Sequence, residues 1–131
     1  MNVKEELFKL NKKALKNDDV PISAIIVKNG IIVSRAYNMK NKKKNPFYHA
    51  EILAIMKACK RLKTYNLIDC VMYVTLKPCQ MCEELINEAR LKKVYYYTER
   101  TKKINNTIKY IKINDDNCFS KEITDFFKSK R

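Results

Sequence analysis

His49 and Glu51 stand two residues apart, and Cys79 and Cys82 follow at i and i+3 about thirty residues later. An imidazole and two thiolates are zinc ligands, whereas the carboxylate, so close to the imidazole, is free for other work. Structural zinc sites normally close with four protein ligands, and catalytic ones keep a position open for water. His49 is the only histidine, and Cys79-Gln80-Met81-Cys82 is the only Cys-x-x-Cys. No second pair completes a structural knuckle, so the count favours chemistry over scaffolding. Zinc held by two thiolates and an imidazole brings a water pKa to about 7. Glu51 can then take a proton and hand it on, as general base and then general acid. A His beside a Glu is by itself usually structural, and a lone Cys-x-x-Cys could be a redox pair or half of a structural zinc site. The two motifs together, with Pro78 before the first cysteine, favour a catalytic zinc.

Those side chains need helices to carry them. If Pro78 opens a helix, the sulfurs of Cys79 and Cys82 project from one face of its first turn. A helix N-terminus favours negative charge and so favours thiolates. His49 likewise stands at a helix start, since Ala50, Leu53, Ala54, Lys57 and Ala58 continue at helical spacing to about Leu62. Glu51 points away from His49 and can reach water without binding the metal.

The remaining pattern supplies a sheet. Val3, Leu7, Leu10, Ala14 and Leu15 predict an amphipathic helix over residues 3–17. Strands are expected at Ile22–Lys28 and Ile31–Asn38, joined by the hairpin signal Asn29-Gly30. Lys40–Asn45 reads as a polar loop. Further strands are expected at Val71–Thr75, before the cysteine helix that runs to about Arg90, and at Val94–Thr98. Glu99–Asn106 reads as a polar turn, Thr107–Ile113 as a short strand, and Ser120 as the cap of a last helix through Phe127. The order α-β-β-α-β-α-β-β-α predicts a three-layer α/β/α fold around a mixed five-stranded sheet. Length and the lack of linkers or repeats predict one domain over residues 1–131.

Composition narrows the class. No run approaches ~18 apolar residues, so no membrane span is expected. The N-terminus reads as a helix rather than a secretory signal, and Cys59, Cys70 and Cys118 fit reduced thiols of a cytoplasmic protein. Net charge is +14, which suits an acidic partner such as nucleic acid. Lys, Asn and Ile make up 50 of the 131 residues, however, and all have A/T-rich codons. Coding bias therefore accounts for part of the basicity.

The pattern H-x-E…P-C-x-x-C is a signature of zinc nucleobase deaminases. Over Val20 to Tyr96, about 60% of the chain, the sequence resembles bacterial tRNA-specific adenosine deaminases of the cytidine deaminase-like superfamily. The resemblance rests on V-P-I-S-A-I-I-V-K-N-G, A-Y-N, H-A-E-I-L-A-I and V-M-Y-V-T-L-K-P-C-Q-M-C. It implies one Zn²⁺ per chain on His49, Cys79 and Cys82, with Glu51 as the catalytic proton shuttle. It further implies that Asn38 and the Ala50 backbone N–H bind the substrate, a flipped-out nucleoside. The implied reaction is attack on C6 of adenine at the wobble position, yielding inosine and ammonia. Implied partners are a tRNA anticodon loop and a second copy in a homodimer.

Four departures bear on the substrate. Lys77 stands where the family usually has Glu, and Phe47-Tyr48 replaces a small pair, predicting a bulkier pocket entrance. Ser23 replaces a Gly, and the segment after Tyr97 is short. The last feature, with Phe47-Tyr48, favours a second reading: a deaminase of a free base or nucleoside such as cytosine or guanine. A third reading, a non-catalytic zinc-stabilised RNA-binding subunit, leaves Glu51 without a purpose.

Overall fold

The computed structural model describes residues 2–100 and 108–130. Its elements are α1 (Val3–Lys16), β1 (Ser23–Lys28), β2 (Ile31–Tyr37), α2 (Lys40–Lys43), α3 (Ala50–Leu62), β3 (Cys70–Leu76), α4 (Gln80–Glu88), β4 (Lys93–Thr98), β5 (Lys109–Lys112) and α5 (Cys118–Lys128). The sheet runs β2-β1-β3-β4-β5. β1 is antiparallel to both β2 and β3, while β3, β4 and β5 are mutually parallel. This is the expected mixed five-stranded sheet.

Side-chain alternation along β1 explains why its sequence is a continuous apolar run. Ala24 and Ile26 face one helical layer and Ile25 and Val27 the other, as the period of two requires. Leu7 and Leu10 of α1 and Phe119 of α5 close the second face. Ala50, Leu53, Ala54 and Ala58 of α3, with Ile86 of α4, close the first. The β1–β2 turn takes the predicted form, with φ of 51° at Asn29 and 76° at Gly30. Both signs are those of the tight hairpin turn that Asn-Gly favours. Ser23, in place of a glycine, is fully buried, and its hydroxyl donates to the Leu7 carbonyl at 3.0 Å. The hydroxyl ties β1 to α1.

Two expectations are corrected, and a third lies mostly beyond the described residues. Lys40–Asn45 is not simply loop: it contains the one-turn helix α2. The carboxylate of Asp19 accepts from the backbone N–H groups of Asn41 and, at 3.1 Å, of Lys42. That is an N-terminal cap delivered from a distant segment. The last helix starts at Cys118 rather than at a Ser120 cap. Buried Asp115 accepts from the N–H of Asn117 at 3.1 Å and of Phe119 at 3.0 Å, and a carboxylate at that end also matches the helix dipole. The turn expected at Glu99–Asn106 and the start of the strand at Thr107 fall mostly outside the described residues.

Candidate active site

All three parallel strands with β2, which runs in the same direction, send their C-terminal ends to one edge of the sheet. Open α/β sheets place ligands at that edge. β2 leads to Asn38 and Lys40, β3 to Leu76 and the cysteines, and β4 to Arg100. Together with Val20, Ile22, His49, Ala50, Glu51, Ile123 and Phe127, Asn38, Lys40, Leu76 and Arg100 line a cleft of about 260 Å³.

His49 and Cys79 are the N-cap residues of α3 and α4, each extended, and neither side chain caps its own helix. This refines the expectation of two cysteines in one first turn: only Cys82 lies inside α4. The turned-out caps let the ligands meet. His49 Nδ1 lies 3.5 Å from Cys82 Sγ and 4.0 Å from Cys79 Sγ. The three ligand atoms all lie within 4.8 Å of one another. Tetrahedral zinc with its usual Zn–S and Zn–N lengths needs N···S separations of roughly 3.6 Å. The donor set and its spacing fit such an ion, and three ligands leave one position open.

Electrostatics divides the two thiols. Hydrogen bonds from Cys82 and His49, with the imidazole charge, lower Cys79 to about 3. Cys82 is pushed far above the thiol range by its hydrogen bond to the Cys79 thiolate, by burial and by the negative charge of Glu51. His49 is raised chiefly by its bond to Cys79, and Glu51 is raised by burial. The metal-free cluster thus holds a thiolate–imidazolium pair beside a neutral thiol. Metal uptake must displace the protons of Cys82 and His49. Titration with metal in buffers of different ionisation enthalpy should release about two protons near pH 6, and about one once His49 is neutral. Affinity should rise with pH. Uptake without proton release would place the ion elsewhere.

Glu51 occupies the second position of α3, 3% exposed, on the floor of the same cleft. Asn38 is on the wall, with its carbonyl oxygen accepting from Lys40 N–H at 3.0 Å. Ala50 offers the first N–H of α3, which has no partner within its own helix. The structure thus places Asn38, His49, Ala50 and Glu51 along the cleft, with Cys79 and Cys82 gathered beside His49. Phe47 and Tyr48 do not narrow it: neither lines the cleft, Phe47 is 61% exposed, and Tyr48 packs on the core. Lys77 lies over the rings of Tyr110 at 4.9 Å and Tyr96 at 5.5 Å, 3.6 Å from Glu99. Its charge is absorbed there. Sequence reasoning missed Lys40, Arg100, Ile123 and Phe127 as cleft residues. The signal for the first two was their position just beyond β2 and β4.

The chain matches the family of MafB19-like deaminases over residues 2–131. It is 38% identical over 118 residues to a tRNA-specific adenosine deaminase of Rickettsia bellii, covering 87% of this chain and 80% of that protein. It is 47% identical over 85 residues to the tRNA-specific adenosine deaminase of Aquifex aeolicus, covering 65% of this chain. The match spans only 56% of the Aquifex protein's length. Among solved structures, a tRNA:A34 deaminase superposes with a TM-score of 0.76 at 27% identity, over 84% of this chain and 95% of that one. Guanine deaminase from Bacillus subtilis superposes with a TM-score of 0.69 at 38% identity, over 77% and 67%. The cytidine deaminase-like architecture is common to them. With its fold shared and its sequence matched from the first helix to the last, the chain belongs to the MafB19-like deaminase family, alongside the tRNA-specific adenosine deaminases.

Proposed function

We propose that this chain, acting as one domain over residues 1–131, hydrolyses adenosine to inosine at the wobble position of a tRNA anticodon loop. The observation that carries this reading is one cleft lined by the buried carboxyl of Glu51 and by His49, the latter grouped with Cys79 and Cys82 as a donor set able to hold a metal. His49, Cys79 and Cys82 would hold one Zn²⁺, to which their nitrogen and sulfur donors are suited. When bound, the ion supplies the Lewis acidity that brings a water pKa near 7. Glu51 takes a proton from the attacking water. Its raised pKa keeps it able to give that proton back, first to the purine ring and then to the departing amine. Adenosine and water thus become inosine and ammonia. Asn38 and the Ala50 N–H orient the nucleoside, and the walls of Ile22, Leu76, Ile123 and Phe127 exclude water around it.

The cleft flank formed by α2 supports an RNA substrate. Lys42, Lys43 and Lys44 are all exposed there, beside Lys40 of the cleft. Lys102 and Lys103, which follow β4 in the sequence, lie outside the described residues. Each phosphate contact contributes a slope of about −0.7 to log affinity against log salt for single strands. Replacing Lys42–Lys44 by Ser should weaken binding of an anticodon stem-loop and flatten that slope. Replacing the exposed Lys9, Lys12 and Lys13 of α1 should do little. Equal losses from both triplets would mean diffuse attraction by a basic surface.

One observation favours the second reading, a free-base deaminase. Ile123 and Phe127 of α5 confine the cleft to a volume suited to a single base, and guanine deaminase is among the solved structures it resembles. Purified protein incubated with an A34 stem-loop, and in parallel with free cytosine, guanine and adenosine, separates the two. Inosine in the RNA supports the first reading; ammonia released only from a free base supports the second.

The homodimer is part of the same proposal. Between α3 and α4 an apolar groove is lined by Ile52, Ile55 and Leu85, with Met56 57% exposed on its rim. An exposed apolar patch of this kind suits a protein interface, and sedimentation would report the dimer. Among the described residues no helix is long and apolar enough to cross a membrane. A cytoplasmic location follows from the tRNA substrate.

A further inference from the structure

Arg100 is the cleft's second cation, and it is held differently from the first. Lys40 is exposed at the start of α2, beyond β2. Arg100 is half-buried beyond β4, and its Nε donates to the main-chain carbonyl of Lys77. Lys77 N–H in turn donates to the carbonyl of Thr98 at 2.9 Å, so the guanidinium is fixed to the paired ends of β3 and β4. β2 and β4 are three strand spacings apart, roughly 14 Å. The two cations therefore stand on opposite flanks of the cleft.

The neighbouring acid does not neutralise Arg100. Glu99 accepts from the Tyr96 hydroxyl at 2.7 Å and pairs with Lys77 at 3.6 Å. Among the described residues Arg100 is in no salt bridge, and residues 101–107 contain no Asp or Glu. A guanidinium has five donors in a rigid fork that matches phosphate oxygens two at a time. With Nε committed to Lys77, the two terminal amino groups are in no ion pair among the described residues.

We propose that Arg100 anchors the substrate by binding a phosphodiester next to the nucleotide that enters the cleft, its terminal amino groups donating to the phosphate oxygens. This rests on the RNA reading of the cleft and deepens it: the cleft grips the flipped nucleotide by its backbone from the β4 side, opposite the lysines of α2. A free base offers Arg100 no such group.

The test pairs protein variants with neutralised phosphates. Binding of zinc-loaded wild type, Arg100→Gln and Arg100→Lys is measured at several salt concentrations. The ligands are an A34 stem-loop and the same loop with one methylphosphonate at each linkage flanking nucleotide 34. Gln keeps a donor for the Lys77 carbonyl and removes only the charge, and thermal melting verifies the fold. Neutralising the contacted linkage should weaken wild-type binding roughly tenfold, as expected for a charge-assisted hydrogen bond partly open to water. Arg100→Gln should lose about as much on the unmodified loop, lose nothing more on the modified one, and flatten the salt slope by about 0.7. Arg100→Lys should recover the slope. Independent losses that multiply at both linkages, or wild-type affinity in Arg100→Gln, would overturn the assignment. Wild type that neither binds nor converts the unmodified loop would overturn the RNA reading itself, and this contact with it.

Discussion

Glu51→Ala is expected to bind its metal and fold like wild type, yet lose turnover by about 10²–10⁴ or more. The expectation follows from where Glu51 sits. It lines the cleft beside His49, but the group that could hold a metal is made of three other residues, so its removal leaves that donor set intact. Its one chemical property is a carboxyl that burial makes willing to hold a proton. Metal content by mass spectrometry and turnover at saturating substrate must be measured on the same preparation. A zinc-replete Glu51→Ala protein with near-wild-type turnover would move the proton carrier elsewhere.

The same residue makes a pH prediction for the metal-free protein. Its folded pKa lies above the unfolded value, so the native state binds the proton more tightly. The stability this gives is complete below the ordinary carboxylate range and is lost as pH rises through the raised value. Glu51→Gln cannot ionise and should show no such loss.

Cys82→Ala should give the second large effect, in metal rather than in rate alone. Cys82 is fully buried, and its sulfur is the closer of the two to His49 Nδ1. Removing it leaves two ligands from two different helix starts, too few for a stable tetrahedral site. Because metal that binds only the native state adds to stability, the variant should also melt lower than zinc-loaded wild type and resemble the chelated protein. Cys79→Ala should behave similarly. Cys59→Ala, in the groove between α3 and α4 and outside the donor group, should keep full metal content. Loss of zinc from Cys59→Ala but not from Cys82→Ala would refute the ligand assignment.

Most of this architecture was legible from period and punctuation. β1 was legible as a strand, expected at Ile22–Lys28 and found at Ser23–Lys28, and Asn29-Gly30 marked its turn. Local signals also placed His49, Glu51, Cys79 and Cys82 at two helix starts. What escaped depended on contacts distant in sequence. α2 exists because Asp19, 22 residues before Asn41, caps it, and no local pattern in Lys40–Lys43 says so. α5 begins at Cys118 because Asp115 takes its first N–H groups, so Ser120 competed with a better-placed carboxylate. Arg100 and Phe127 reach the cleft only through the strand order and the docking of α5. Phe47 was misjudged for the same reason: proximity to His49 in sequence does not decide which way a side chain turns.

The central claim is hydrolysis at a purine carbon of an RNA adenosine, and isotope-labelled water tests it most directly. Zinc-loaded protein is incubated with an A34 stem-loop in ¹⁸O water, and the digested nucleosides are analysed by mass. The account predicts inosine at position 34 carrying one ¹⁸O in its base, with an equal amount of ammonia, and neither product from Glu51→Ala. An unchanged adenosine at that position, with ammonia appearing only when free guanine or cytosine is supplied, would contradict it.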